Sequence, residues 1–142
     1  VISTPTAARN RFVADGVAST TNERLLVLLF ERMLRDLDEG AAAIGRKDIG
    51  AAHEAIVHAQ DIVSELQLAI DPDSFEGADG LVQLYVWLGA QLLKANLQKD
   101  PIALAEARQV AAQLHQTWSE AYEATRQQAP ARPATEGLDI AG

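Results

Sequence analysis

Residues 49–70 read IGAAHEAIVHAQDIVSELQLAI, with an apolar or small side chain at Ile49, Ala52, Ile56, Ala59, Val63, Leu66 and Ile70. Steps that alternate between three and four residues keep one stripe on one side of an α-helix. A lone helix cannot bury such a stripe in water, because its stability comes from packing the apolar face against something else. The stretch therefore predicts an all-α fold in which the flanking sequence supplies the packing partners.

Upstream, Thr21 or Asn22 can cap a helix whose Glu23 suits the positive end of the dipole. Leu26, Phe30, Met33, Leu37 and Ile44 form its inward stripe, and Glu31/Arg35 and Arg32/Asp36 are spaced four apart for exposed pairing. Gly45 suits a left-handed stop and Asp48 can cap the next helix, so a link of a few residues predicts antiparallel neighbours. Downstream, Asp71-Pro72 ends the 49–70 helix, since the residue before proline avoids helical geometry. A polar loop follows over residues 72–80.

A third helix, from about residue 78 to 98, brings Leu81, Leu84, Tyr85, Leu88, Leu92 and Ala95 inward. Asp100-Pro101 places a capping residue before proline at the first helical position, which is a specific start signal. The fourth helix carries Leu104, Ala107, Ala111, Leu114, Trp118 and Ala121 inward and fades near Arg126. No strand pattern and no internal repeat interrupts this reading. The expectation is an antiparallel four-helix bundle over residues 21–127, with a short N-terminal helical arm and a flexible C-terminal tail.

The arm is residues 1–20, where Pro5 suits a first helical turn, residues 7–14 fit a short helix, and Gly16 ends it. Its Phe12 and Val13 are too little apolar surface to stand alone, so the arm docks on the body or moves. The tail, residues 128–142, shifts to Pro, Ala, Thr and Gly, a composition that cannot order itself by burial.

A length of 142 residues fits one domain with a real core. The formal charge of -8 sets up a field that repels phosphate backbones and anionic lipid, which disfavours nucleic-acid binding. No apolar run reaches the length of a membrane span. There is no cysteine and no pattern of a signal peptide, so a cytoplasmic location is the expectation.

The residues give little support to catalysis. Bundles that do metal chemistry place Glu-x-x-His pairs inward, whereas the nearest patterns here are Glu54/His58 and an isolated His115. His53 and His58 are five apart and share no face, so both read as solvated surface histidines rather than ligands. Carboxylates fall at caps and outer faces, and no Gly-rich phosphate loop or Ser/His/Asp signature is present. The expectation is a protein that is not an enzyme and carries no metal and no cofactor.

What exceeds the needs of a core is apolar surface. Residues 25–30 are six apolar side chains in a row, which leaves Leu25, Val27 and Leu28 off the inward stripe, and the third helix adds Val82, Val86, Trp87 and Leu93. Such residues either fill gaps between helices or form a groove for an amphipathic helix of a partner. Phe12 of the arm, Leu25, Val27, Leu28, Val82, Val86 and Leu93 are the candidate partner-binding residues. Tyr85, Trp87 and Trp118 each read individually as core.

The segments AQDIVSEL at residues 59–66, Leu81, Leu84-Tyr85, Ala95-Asn96 with Asp100, and Leu114 with Trp118 occur in an order and spacing that resembles the FliS family of flagellar secretion chaperones. Residues 20–30 also resemble that family's start of its first long helix, and the likeness covers about residues 12–122. The resemblance implies an antiparallel helical bundle that binds the disordered C-terminal region of flagellin in the cytoplasm, prevents its early polymerisation and helps present it to the export gate. It departs from the family at Phe12, where tyrosine is frequent, and near Asn22, where proline or a small residue is usual. A monomer is the expected state. The rival reading is a helical-bundle adaptor for another amphipathic partner segment.

Overall fold

The computed structural model describes residues 22–128, which form four helices joined by one long and two short links. These are α1 (Asn22–Gly45), α2 (Ile49–Ala69), α3 (Ala78–Gln98) and α4 (Pro101–Gln128). Each packs chiefly against two neighbours in ring order, α1 on α2 and α4, and α3 on α2 and α4. The fold is the expected four-helix bundle, with no strand among the described residues.

Both short links lie at one end and share one device. Asp48 caps α2 by accepting from the Ala51 N–H at 3.1 Å, and Asp100 caps α4 by accepting from Ile102 at 2.9 Å and Ala103 at 3.3 Å. Each aspartate also closes the preceding helix, its own N–H bonding back to Ala43 in one case and Ala95 in the other. That six-to-one bond needs a left-handed residue just before it. The expectation that Gly45 would supply it is corrected: the left-handed residues are Lys47 (φ 64°) and Lys99 (φ 47°). Gly45 is instead the last residue of α1, two residues before the left-handed position.

The core is graded along the bundle axis. Toward the end with the short links many buried residues are small, namely Gly40 and Ala43 of α1, Ala52 and Ala55 of α2, Ala95 of α3, and Ala103 and Ala107 of α4, set around Ile56 and Leu104. Toward the other end they become Phe30, Met33, Leu66, Tyr85 and Leu88. Gly40 marks the closest approach: a Cβ there would stand 3.2 Å from Ile56 Cγ1 and 3.4 Å from Leu104 Cδ2. Small side chains let helices approach, and large ones hold them apart.

The seam between α1 and α4 carries a second pattern. Arg24, Glu31 and Asp38 recur every seven residues and face Tyr122, His115 and Arg108, which recur every seven in the opposite direction. The contacts are a cation over a ring at 5.7 Å, a 3.4 Å carboxylate–imidazole pair and a 2.7 Å guanidinium–carboxylate bond. Antiparallel helices that keep one seam in register produce this spacing. Glu31 thus reaches across to His115 rather than along its own helix to Arg35.

The histidines lie at the surface as read, His53 exposed and His58 partly so, but each also bridges two helices. His58 meets the buried Asp36 at 2.5 Å and links α2 to α1, and His53 meets Asn96 at 3.1 Å and links α2 to α3. Asp36 receives Arg32 as expected, at 3.3 Å, but is buried between two partners rather than exposed. Three stripe positions also shift outward. Ile49, the first residue of α2, and Ala121 are exposed, and Ile70 is only partly covered.

The graded core yields a paired expectation. Gly40→Leu should cost at least about 1–3 kcal/mol, since four carbons would enter a filled contact. Gly80→Ala, in the first turn of α3 with nothing within 4 Å of the new methyl, should stabilise by about 0.5–1 kcal/mol. Chemical denaturation of both variants measures this, and equal effects would contradict the close approach at Gly40.

Candidate partner-binding surfaces

Helical periodicity sets which of the surplus apolar residues stay free. On α3, Val82, Val86, Leu93 and Leu97 fall within an arc of about 60° and extend roughly 22 Å along the axis. Val82 is half-buried, while Val86 and Leu93 are about half exposed at 49% and 48% and Leu97 reaches 75%. Asn96 and Gly89, just beside this arc, face α2 through His53 and Val63, so the stripe follows the α3 border of the α2–α3 groove. Its outward residues include only two charges, Asp79 and Lys94. Ile102 at 71% and Ile49 at 54% extend apolar surface past the stripe's C-terminal end.

The α1 candidates behave differently. Leu28 is partly buried, and Leu25 and Val27 are buried, at 9% and 3%, and are withdrawn as free surface. Leu25 packs in the core cluster one turn before Leu29. Val27 stands on the flank that Arg24 and Glu31 turn toward α4. α1 has two neighbours, so its buried arc is wider than a single stripe. Trp87, read as core, is 40% exposed and joins the α3 surface, whereas Tyr85 is fully buried and Trp118 packs partly buried against the core. Phe12 lies outside the described residues.

A second feature was not visible in the sequence. At the end opposite the short links an open pocket of about 320 Å³ lies between the start of α1, the end of α2, the 70–77 loop, the start of α3 and the later part of α4. Leu26, Leu66, Phe75 and Leu81 give it apolar walls, and Glu65, Tyr85 and Trp118 line it as well. Burial pushes the Tyr85 phenol up to about 12, and the nearby Trp118 indole N–H offsets part of that rise. Their geometry still falls short of a hydrogen bond, so the Tyr85 hydroxyl and the Trp118 N–H are both buried without a partner.

Among the described residues, no helix is long and apolar enough to cross a membrane and no group of three His, Asp or Glu is placed to hold a metal ion. What the geometry offers is surface for a chain to lie on. Comparison with known proteins gives the same direction: the family described as Flagellar protein FliS matches residues 5–125. The chain belongs to the FliS family. The flagellar secretion chaperone FliS of Bacillus subtilis (strain 168) is 24% identical over 123 residues, spanning 84% of this chain and 92% of the relative. A bacterial flagellar chaperone of known crystal structure superposes with a TM-score of 0.67 at 18% identity, covering 84% of this chain and 98% of the other. FliS proteins are flagellar secretion chaperones, and a four-helix scaffold with uncovered apolar surface is compatible with that work.

Tyr85 makes stability depend on pH in the alkaline range. The phenol ionises near 10 in an unfolded chain and near 12 when folded, so the folded state holds its proton more tightly. Its contribution is complete below pH 10 and is lost as pH rises through 12. Two units correspond to roughly 2–3 kcal/mol. Urea titrations between pH 9 and 12 should show this loss, and Tyr85→Phe should remove it while leaving stability at pH 7 equal or higher, because no hydrogen bond is broken.

Proposed function

We propose that this chain is a cytoplasmic, monomeric chaperone that binds the disordered C-terminal region of flagellin, prevents its premature polymerisation and helps deliver it to the flagellar export gate. The observation that carries the reading is the sparsely charged apolar stripe Val82, Val86, Leu93 and Leu97 on an otherwise acidic chain. An amphipathic segment that folds as it binds would lay its apolar side along this stripe, reading it at helical spacing. Ordering the client on contact consumes part of the interaction energy, so the complex stays reversible while covering a large area. Export requires that release. Membership of a secretion chaperone family supports the same reading.

The binding machinery under this reading is structural rather than catalytic. Val82, Val86 and Leu93 form the client surface with Leu97 and Trp87. No cofactor takes part.

Calorimetry against a flagellin C-terminal peptide tests the proposal directly. Val86→Glu and Leu93→Glu should each weaken binding by at least about tenfold, since a charge is costly where a client excludes water and nearly free where it meets solvent. Circular dichroism should show both variants folded. Unchanged affinity in both would remove α3 as the client surface, and absence of binding by the parent chain would remove flagellin as the client.

A further inference from the structure

We propose that the groove between α2 and α3 selects its client by absence of charge, taking a stretch with an aliphatic side and a flank of glutamine, asparagine, serine or threonine. This rests on the client reading above and adds to it the chemistry of the segment recognised. The apolar stripe of α3 is one wall of the groove. The other wall belongs to α2, where His53 meets Asn96 of α3 at 3.1 Å and so fixes which side of α2 turns toward the groove. On a regular helix Ile49, Gln60, Ser64 and Gln67 fall within about 40° of His53. Ile49 and Ser64 are exposed and Gln60 and Gln67 partly so, and no hydrogen bond among the described residues engages the Gln60, Ser64 or Gln67 side chains.

Neither wall carries an Asp, Glu, Lys or Arg where the two helices run side by side, from Val82 to Leu97 on α3 and from Gln67 back to His53 on α2. The carboxylates of α2, on Glu54, Asp61 and Glu65, stand at least about 80° around the helix from His53, and Lys94 stands about 100° around from Leu93. Asp79 precedes the shared stretch. In a chain that is 23% charged, this is the face on which a partner meets no charge. A client lying there takes water off both walls, and a charged side chain buried with it finds no opposite charge, whatever its sign. A wholly apolar client would strand Gln60, Ser64 and Gln67 without partners. Carboxamides and hydroxyls both donate and accept, so a neutral polar flank satisfies the α2 wall while aliphatic side chains cover Val82, Val86 and Leu93.

The net charge of -8 leads to the opposite expectation, a cationic client held by the field of the whole chain. That field acts on the approach and is screened beyond about 8 Å at physiological salt, whereas the groups desolvated in the groove decide what stays bound. From Val82 to Leu97 the groove runs roughly 22 Å, which matches about four turns of client helix. A neutral groove on an acidic body thus separates its client from polycations, which the rest of the surface attracts without distinction.

The test uses the full chain, a flagellin C-terminal peptide and three substitutions at one position of the α2 wall: Ser64→Gln, Ser64→Glu and Ser64→Lys. All three new residues suit a helix interior, and glutamine and glutamate differ chiefly in charge. Calorimetry should find Ser64→Gln within about twofold of the parent chain, and Ser64→Glu and Ser64→Lys each weaker by at least about fivefold. Asp61→Lys, around the helix from the groove, should bind as the parent does. The parent affinity should change by less than about threefold between about 50 and about 500 mM salt, because no ion pair holds the complex. Circular dichroism verifies that each variant is folded. If one charge at position 64 weakens binding and the other strengthens it, the client brings a charge to this wall and the neutral groove is overturned. Equal losses in all three variants, or no loss in any, would overturn it too, and in each of these cases the client reading stands on Val86→Glu and Leu93→Glu. No binding of the peptide by the parent chain would overturn both.

Discussion

The arrangement of this bundle depends on how closely its helices can approach at one end. Gly40 lets α1 come down onto Ile56 of α2 and Leu104 of α4, and a set of buried alanines continues the contact. Small side chains at that end admit a close approach that larger ones elsewhere do not. Phe30, Met33, Leu66 and Tyr85 hold the far end open, and the cavity is the part of that opening the side chains do not fill. The links differ between the two ends as well: two short ones lie at the Gly40 end and the longer 70–77 loop at the other.

Much of this was legible in the sequence because it was written in local chemistry. Asp48, Asp100 and Pro101 mark helix starts by what their side chains and rings do to nearby N–H groups, and the stripe of α2 marks its inner face by spacing alone. Periodicity, however, gives the direction of a face and not its width. Leu25 and Val27 are buried because α1 borders two helices, and Ile49 is exposed although it lies on the stripe of α2. Lys47 and Lys99 occupy backbone positions where glycine is the usual occupant, so no composition signal announced them.

The candidate site divides along the same line. Val82, Val86 and Leu93 could be read from the sequence because they are surplus to a stripe already complete, whereas Leu97 was overlooked by the same reasoning that could have found it, four residues beyond Leu93. The cavity could not be read at all. Its walls come from residues more than fifty positions apart, and its existence follows from mismatch in side-chain volume between the two ends. The heptad line from Arg24 to Asp38 is intermediate: each half is visible as a seven-residue spacing, but the pairing with α4 depends on register.

The two aspartate turns have a further consequence for how the chain opens. They bind α1 to α2 and α3 to α4 as hairpins of nearby sequence, while residues 70–77 are the sole connection between the hairpins among the described residues. Contacts between sequence neighbours form quickly and reopen together as cooperative units. Partial unfolding of this domain is then a parting of two hairpins about a loop hinge, like the covers of a book. That motion has to break the α1–α4 edge as well as the α2–α3 one, and the line from Arg24 to Asp38 is the clasp that holds the covers shut.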